Sequence, residues 1–249
     1  MCFLKNILVY ETSDFLKRNF LNLLIISIFC SFLTIMIHFI LGPNSYNLSR
    51  VYGTNFFDSF AIIKRTPYFT LHQQKILFNL SFIKMSSILI NNTILCASIM
   101  YMFQYHNLEE IFDVIKILKK SFKFMPPLLL LMFVTASIIE IGFIFFTLSG
   151  IILSILLFIS PIIFLVDNTS IYETIKKSLK ISWKHISKIF FPIFTWLLCK
   201  LLLIIIFATF CFFSTYINFF ILQIIINLLT ITVYTYIFYF YIFLNQNKI

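Results

Sequence analysis

Two charged side chains, Lys200 and Glu140, lie inside long apolar runs of the sequence. A charge inside a bilayer is costly and marks an ion or proton path, or a pair of opposite charges. Lys200 lies about ten residues into its run and Glu140 about fourteen into another, so their depths differ by roughly one helical turn. One interpretation is therefore an ion pair between two helices. Such a pair would either hold the helix bundle together or lie on a transport path. In the alternative, Lys200 extends to the interface and the two never meet.

Four amide side chains form a second polar group within apolar runs: Asn91, Asn92, Gln223 and Asn227. Their positions predict a polar layer near the middle of the membrane. Such hydrogen bonds between membrane helices contribute about 0.6 to 2 kcal/mol, so cohesion alone explains them. A pore lining is the alternative.

Catalytic motifs are absent from the sequence. It has no HExxH, no nucleophile elbow and no glycine-rich phosphate loop, and only 4 glycines in all. The 5 cysteines include no CxxC pair, which argues against a zinc site or a disulfide framework. We therefore predict no catalytic residue, no metal, no cofactor and a protein that is not an enzyme.

The elements that must position these residues are membrane helices. Hydrophobic residues make up 61% of the chain and charged residues 11%, against about 45–50% and 25% in soluble domains. Crossing a bilayer takes roughly 20 apolar residues. Six runs qualify or nearly so: 19–41, 82–104, 126–148, 150–166, 190–214 and 218–243. The predicted fold is all-α: one integral membrane domain over 1–249, with six transmembrane helices in three hairpins.

Lysine and arginine are distributed unevenly among the connections. Thirteen lie in segments on one predicted side, against four in the long loop 43–81 on the other. The positive-inside rule then places both termini in the cytoplasm and the loop outside. The basic residues predicted to line the inner surface are Lys116, Lys119, Lys120, Lys123, Lys176, Lys177, Lys180, Lys184 and Lys188. Anionic lipid head groups are the expected partners, with other membrane proteins as a further class, and nucleic acid is disfavoured.

A helix with acidic residues at its start and lysines at its end precedes each hairpin. The second begins at an N-cap, Asn107, and the third at Ser170, where Glu173 completes a capping box. Such a charge order suits the helix dipole, and an apolar stripe flanked by lysines suits an inner-surface helix. Pro126-Pro127 and Pro192 are interpreted as first-turn residues of the following spans. The recurrence indicates a threefold repeat, unless the positive-inside pattern alone explains it.

The fourth span has a predicted turn before it, a predicted kink inside it and a predicted end. The segment 147–150 is interpreted as a tight turn that makes the third and fourth spans antiparallel. Pro161 lies inside the fourth span and predicts a kink there, and Asp167 is expected to end it.

The order of residues from 149 to 202 resembles a known family. It reads Ser149-Gly150-Ile151-Ile152, Ser160-Pro161-Ile162, Asp167, Ser178-Leu179-Lys180-Ile181-Ser182-Trp183 and Trp196-Leu197-Leu198-Cys199-Lys200. These residues, with Tyr10 to Asn19 and Gln73 to Leu77, resemble the YciC family of multi-pass inner-membrane proteins of gamma-proteobacteria. That family usually has proline where this chain has Ser149. The resemblance implies an inner-membrane location, and it implies no catalytic residue because the family has no established biochemical activity.

The leading hypothesis is a non-enzymatic protein for envelope maintenance or scaffolding, which binds lipid or other membrane proteins through its basic inner helices. The rival hypothesis is a small transporter or channel with Lys200 and Glu140 on its path.

Overall fold

The chain is all-helical wherever its structure is described. A computed structural model describes residues 2–41, 71–105, 114–209 and 215–246. Every element in these residues is an α-helix: α1 (Cys2–Arg18), α2 (Phe20–Leu41), α3 (Leu71–Tyr105), α4 (Val114–Phe145), α5 (Thr147–Leu157), α6 (Ser160–Asp167), α7 (Ile171–Lys184), α8 (Ile186–Thr209) and α9 (Thr215–Gln246). Most of the loop 43–81 and the N-cap at Asn107 lie outside the described residues.

Six stretches of these helices are long and apolar enough to cross a membrane, which confirms the six predicted runs. They are Phe20–Leu41, Gln74–Phe103, Val114–Phe145, Thr147–Asp167, Ile186–Phe207 and Ile217–Gln246. Helices α3, α4 and α9 extend well beyond the membrane core, because the 32 residues of α4 or α9 extend about 48 Å and a hydrocarbon core is about 30 Å thick. Helix α3 begins before the second predicted span and runs into it unbroken from Leu71.

The prediction that Pro126-Pro127 and Pro192 open their spans is wrong. Pro126 and Pro127 lie in the middle of α4 and Pro192 is the seventh residue of α8. Proline removes one backbone donor, and membrane helices tolerate this where other groups serve the carbonyl left behind. The lysine-rich segment 114–123 is therefore continuous with the third span and is not a separate surface helix.

The fourth span breaks where Pro161 predicts a kink. Helix α5 ends at Leu157 and α6 begins at Ser160, with Pro161 in its first turn. Since Pro161 has no N–H for the carbonyl of Leu157, the Ser160 hydroxyl donates to that carbonyl at 2.6 Å. Helix α6 ends at Asp167, as predicted, because Asn168 adopts the left-handed conformation with φ of 51°.

The turn between the third and fourth spans differs from the predicted one. It occurs at Phe146, whose backbone is extended, and residues 147–150 form the first turn of α5. Two glycines permit the close approach of the helices, since a Cβ on Gly142 would lie 3.2 Å from the Cα of Gly150 and one on Gly150 would lie 2.4 Å from the Phe143 ring.

The other two predicted inner helices are separate elements, each joined differently to its span. Helices α1 and α2 meet at Asn19, whose side-chain amide donates to the carbonyl of Phe15 at 3.0 Å. Helix α7 begins at Ser170, whose hydroxyl accepts from the Glu173 N–H as the capping pattern predicts. The bundle-facing side of α7 carries hydroxyls, because Thr174, Ser178 and Ser182 are fully buried.

Helix α9 lies at the centre of the bundle. It packs against α1, α2, α3, α6 and α8, while α2 packs on α3 and α4 on α5. The rings of Phe15, Phe103, Phe238 and Tyr239 stack between α1, α3 and α9. Tyr234 and Tyr241 are buried here. Helix α8 is peripheral, with most of its apolar side chains exposed.

Candidate functional site

The predicted layer of amides forms at the contact of α2, α3 and α9. Asn91 donates to the side-chain oxygen of Asn227 at 2.8 Å, and Gln223 donates to the same oxygen at 3.3 Å. Asn227 in turn donates to the Ser31 hydroxyl at 3.0 Å and to the Ser27 carbonyl at 3.2 Å. Asn92 is half-buried and does not join this cluster.

Lys200 and Glu140 are not brought together. Glu140 is exposed near the end of α4, six residues before the turn at Phe146. The ammonium group of Lys200 lies 5.3 Å from the centre of the Trp196 ring on its own helix. No ion pair joins the two charges, although both lie within the described part of the chain.

One end of the bundle gathers the basic residues of three separate segments. Phe15 at the end of α1 contacts Phe103 at the end of α3 and Tyr239 near the end of α9. Lys120 at the start of α4 lies 5.4 Å from the Tyr101 ring, and His185 before α8 contacts Phe240. These contacts place the lysine-bearing ends of α1, α4, α7 and α8 at the same level. The exposed basic side chains at this end are Lys17, Arg18, Lys116, Lys119, Lys120, Lys123, Lys176, Lys180 and Lys184, with Lys177 and Lys188 half-buried.

The opposite end carries other basic residues. His38 near the end of α2 contacts the hydroxyl of Ser87 at 3.2 Å and the ring of Phe219 near the start of α9. Lys84 lies one turn from Ser87, and Lys75 lies further along the same helix. These two are the described basic side chains nearest that end.

A cluster of Asp167, Lys177 and Tyr241 joins α6, α7 and α9 at the lysine-rich end. Asp167 accepts a hydrogen bond from the Tyr241 hydroxyl at 2.5 Å and forms an ion pair with Lys177. Burial lowers the pKa of Lys177, but its hydrogen bonds to Asp167 and Tyr241 outweigh this and raise the pKa above its usual value. Because the pKa of Lys177 is raised in the folded protein, its charged form stabilises the fold. This contribution is fully present below about pH 10.4, the usual lysine pKa, and is lost as the pH rises through the pKa of Lys177 in the folded protein.

A groove of about 1020 Å³ lies between α1, α8 and α9. Leu8, Thr12 and Leu16 form its α1 wall, and Phe191, Pro192 and Trp196 form its α8 wall. Lys17 and Lys188 also line it, both from the lysine-rich end of the bundle. No sequence pattern indicated this groove, because it is built mostly from ordinary apolar residues of three distant segments.

Metal binding finds no support in the described ranges, where no three His, Cys, Asp or Glu side chains converge. The sequence predicted Asp167 as the end of the fourth span and Lys177 as a residue of the inner surface, and it indicated no contact of either with Tyr241. Their convergence depends on the break at Pro161, which sets the direction of α6.

Comparison with known proteins identifies relatives over most of the chain. It is 30% identical over 224 residues to a UPF0259 membrane protein of Buchnera aphidicola subsp. Acyrthosiphon pisum (strain Tuc7), covering 90% of this chain and 91% of that protein. A UPF0259 membrane protein of Buchnera aphidicola subsp. Schizaphis graminum is 29% identical, with 88% of each chain covered. One from Yersinia pestis (strain Pestoides F) is 24% identical, with 82% of each covered.

No solved structure matches the chain. The family model described as uncharacterised protein family UPF0259 matches residues 1–243. With six apolar helices of membrane-spanning length and relatives named as membrane proteins, the chain is a multi-pass membrane protein and belongs to the UPF0259 family.

Proposed function

We propose that this protein is a non-enzymatic scaffold of the bacterial inner membrane, which serves envelope maintenance by binding anionic lipid head groups and other membrane proteins. The observation that carries the proposal is the gathering of lysines from α1, α4, α7 and α8 at one end of the bundle. A lysine or arginine near an anionic membrane surface contributes about 1 kcal/mol of attraction. Several such groups at one level form a surface for acidic head groups.

The proposed orientation follows from the same charges. The six helices are taken as three hairpins with both termini in the cytoplasm, so that the lysine-rich end faces the inner leaflet. Helix α7 then lies against the bundle at that surface, with Lys176, Lys180 and Trp183 exposed toward head groups. Its buried hydroxyl face fixes how these side chains are presented.

The rival function, a transport path through Lys200 and Glu140, gains no support from the arrangement of the described residues. The two charges are separate, and the amides near mid-membrane are mutually hydrogen-bonded. The large groove lies beside neither Glu140 nor the amide layer. Cohesion of α2, α3 and α9 is the role that fits the amides.

The experiment that tests this proposal is charge reversal at the exposed face of α7. Lys176→Glu/Lys180→Glu, purified in native lipid nanodiscs, should lose anionic phospholipid from its co-purified lipids by roughly tenfold or more. Lys177 is left intact because it pairs with Asp167.

The matched control reverses two exposed lysines at the opposite end, Lys75→Glu/Lys84→Glu. Lipid mass spectrometry and cross-linking of neighbouring membrane proteins are measured for both variants. An unchanged lipid and protein complement in the α7 variant would contradict the proposal, as would equal losses in the control.

A further inference from the structure

The groove between α1, α8 and α9 combines positive charge at one end with mostly apolar walls, as a lipid site requires. Lys17 and Lys188 are its charged lining residues, and no carboxylate lines it. Neither ammonium group forms an ion pair with any residue that the structure describes. Positive charge is therefore left for an anion from outside the chain.

The three threonines that line the groove are already hydrogen-bonded. Thr12 donates its hydroxyl to the carbonyl of Leu8, Thr195 to Phe191 and Thr232 to Leu228, each within its own helix. These threonine hydroxyls therefore need no hydrogen-bond partner from a molecule in the groove. An aqueous solute would find few hydrogen-bond partners there, whereas a hydrocarbon chain needs none.

The length of the groove matches one leaflet. Along α8 the lining runs from Ser187 to Cys199, which is about 18 Å at the rise of an α-helix. Half of a hydrocarbon core is about 15 Å. The groove therefore begins at the level of the lysines and ends near the middle of the membrane, as an acyl chain does. Its volume of about 1020 Å³ is at the upper limit of typical ligand pockets, about 300–1,000 Å³.

We propose that this groove binds an anionic glycerophospholipid, with the phosphate between Lys17 and Lys188 and one acyl chain along Phe191, Trp196 and α1. The site deepens the proposed function by naming a bound lipid. It rests on that function in one respect, which is that the lipid enters from the leaflet at the lysine-rich end.

Trp196 provides a direct readout, because it lines the groove and the chain has only 2 tryptophans. Trp183→Phe leaves Trp196 as the sole indole. This full-length variant is placed in nanodiscs of unlabelled phosphatidylcholine. An increasing fraction of that lipid is replaced by phosphatidylglycerol brominated in its acyl chains or, in a parallel series, by phosphatidylcholine brominated in the same way. Brominated phosphatidylglycerol should quench Trp196 half-maximally at a mole fraction roughly tenfold lower than brominated phosphatidylcholine.

The preference should depend on the two groove lysines. Lys17→Gln/Lys188→Gln should bring the two lipids to equal half-maximal fractions, and Lys17→Arg/Lys188→Arg should retain the preference. Lys180→Gln/Lys184→Gln removes the same charge from exposed positions at the same end and should also retain it. Thr195→Phe, which fills the groove, should lower the maximal quenching, whereas Thr209→Phe on the same helix outside the groove should not.

Equal quenching by the two lipids in the Trp183→Phe protein would overturn the inference. So would a loss of preference in Lys180→Gln/Lys184→Gln as large as in the groove variant, because the charge of the whole surface would then be responsible. That second outcome leaves the scaffold proposal standing. Conversely, retained groove preference with unchanged co-purified lipid in Lys176→Glu/Lys180→Glu would sink the scaffold proposal and keep the site.

Discussion

The side chain of Asn227 makes hydrogen bonds to two neighbouring helices. It accepts one from Asn91 on α3 and donates to the Ser27 carbonyl and the Ser31 hydroxyl on α2. The participation of Asn91, Gln223 and Asn227 could be predicted, because an amide in an apolar run must find a partner, but the sequence did not show that Asn92 stands outside the cluster. Ser27 and Ser31 could not be identified, since each hydroxyl also donates to its own helix, which is ordinary for serine in a membrane helix. Depth along the chain likewise suggested that Lys200 and Glu140 could meet, but depth does not determine which face of a helix carries a residue.

Asn227→Leu should lower the free energy of unfolding by about 1–3 kcal/mol, because it leaves the buried Asn91 amide without its acceptor. Asn92→Leu is the matched control, since Asn92 adjoins Asn91 and stands outside the cluster. Its effect should stay within about 0.5 kcal/mol. The measurement is denaturant unfolding in mixed micelles.

The double variant Asn91→Leu/Asn227→Leu distinguishes pairing from a requirement for asparagine itself. Replacing both partners removes the unsatisfied group, so the double should be less destabilised than the sum of the single variants. Additive losses would show that the two amides do not act as a pair.

Proline has two different outcomes in the described helices, a break or a continuous helix, and the surroundings decide between them. At Pro161 the helix breaks, and hydroxyls serve the carbonyls at the break: Ser160 donates to Leu157, and Ser178 of α7 donates to Leu156 at 2.7 Å. At Pro126-Pro127 and Pro192 the helices continue. The sequence shows where a backbone N–H donor is missing. Whether the helix bends there depends on which neighbouring groups donate to the carbonyl left without its partner. Those neighbours come from distant segments, which is why one kink was predicted correctly and two span starts were not.

Helix α7 offers a matched pair for testing this attachment. Ser178 and Ser182 are both fully buried and lie one turn apart on the same face. The Ser178 hydroxyl donates to Leu156, whereas the Ser182 hydroxyl has no hydrogen-bond partner among the described residues. Ser178→Ala should therefore destabilise the protein by about 1–2 kcal/mol, and Ser182→Ala should be neutral or stabilising.

Limited proteolysis at the lysines of α7 provides the readout for both variants. Cleavage should accelerate in Ser178→Ala, because the helix is held to the break in the fourth span by that hydroxyl. Equal rates in the two alanine variants would contradict a role for the α5–α7 hydrogen bond.

The whole molecule has two ends that differ in charge, and the orientation proposed from this difference can be tested on the full chain. Phe146, in the turn between α4 and α5, and Tyr172, at the start of α7, are each 75% exposed. The fourth span lies between them, so the two positions should face opposite sides of the membrane. Phe146→Cys should react with a membrane-impermeant maleimide on intact cells, and Tyr172→Cys should react only after permeabilisation.

The wild-type protein gives the background from the native cysteines, of which Cys30 and Cys96 are buried. Labelling of both introduced cysteines on the same side would show that the broken helix α5–α6 does not cross, and the six-span architecture would fail. Labelling of Tyr172→Cys alone on intact cells would keep the six spans and reverse the orientation. The lysine-rich end would then face away from the cytoplasm, and the scaffold proposal would lose the leaflet on which its anionic partners depend.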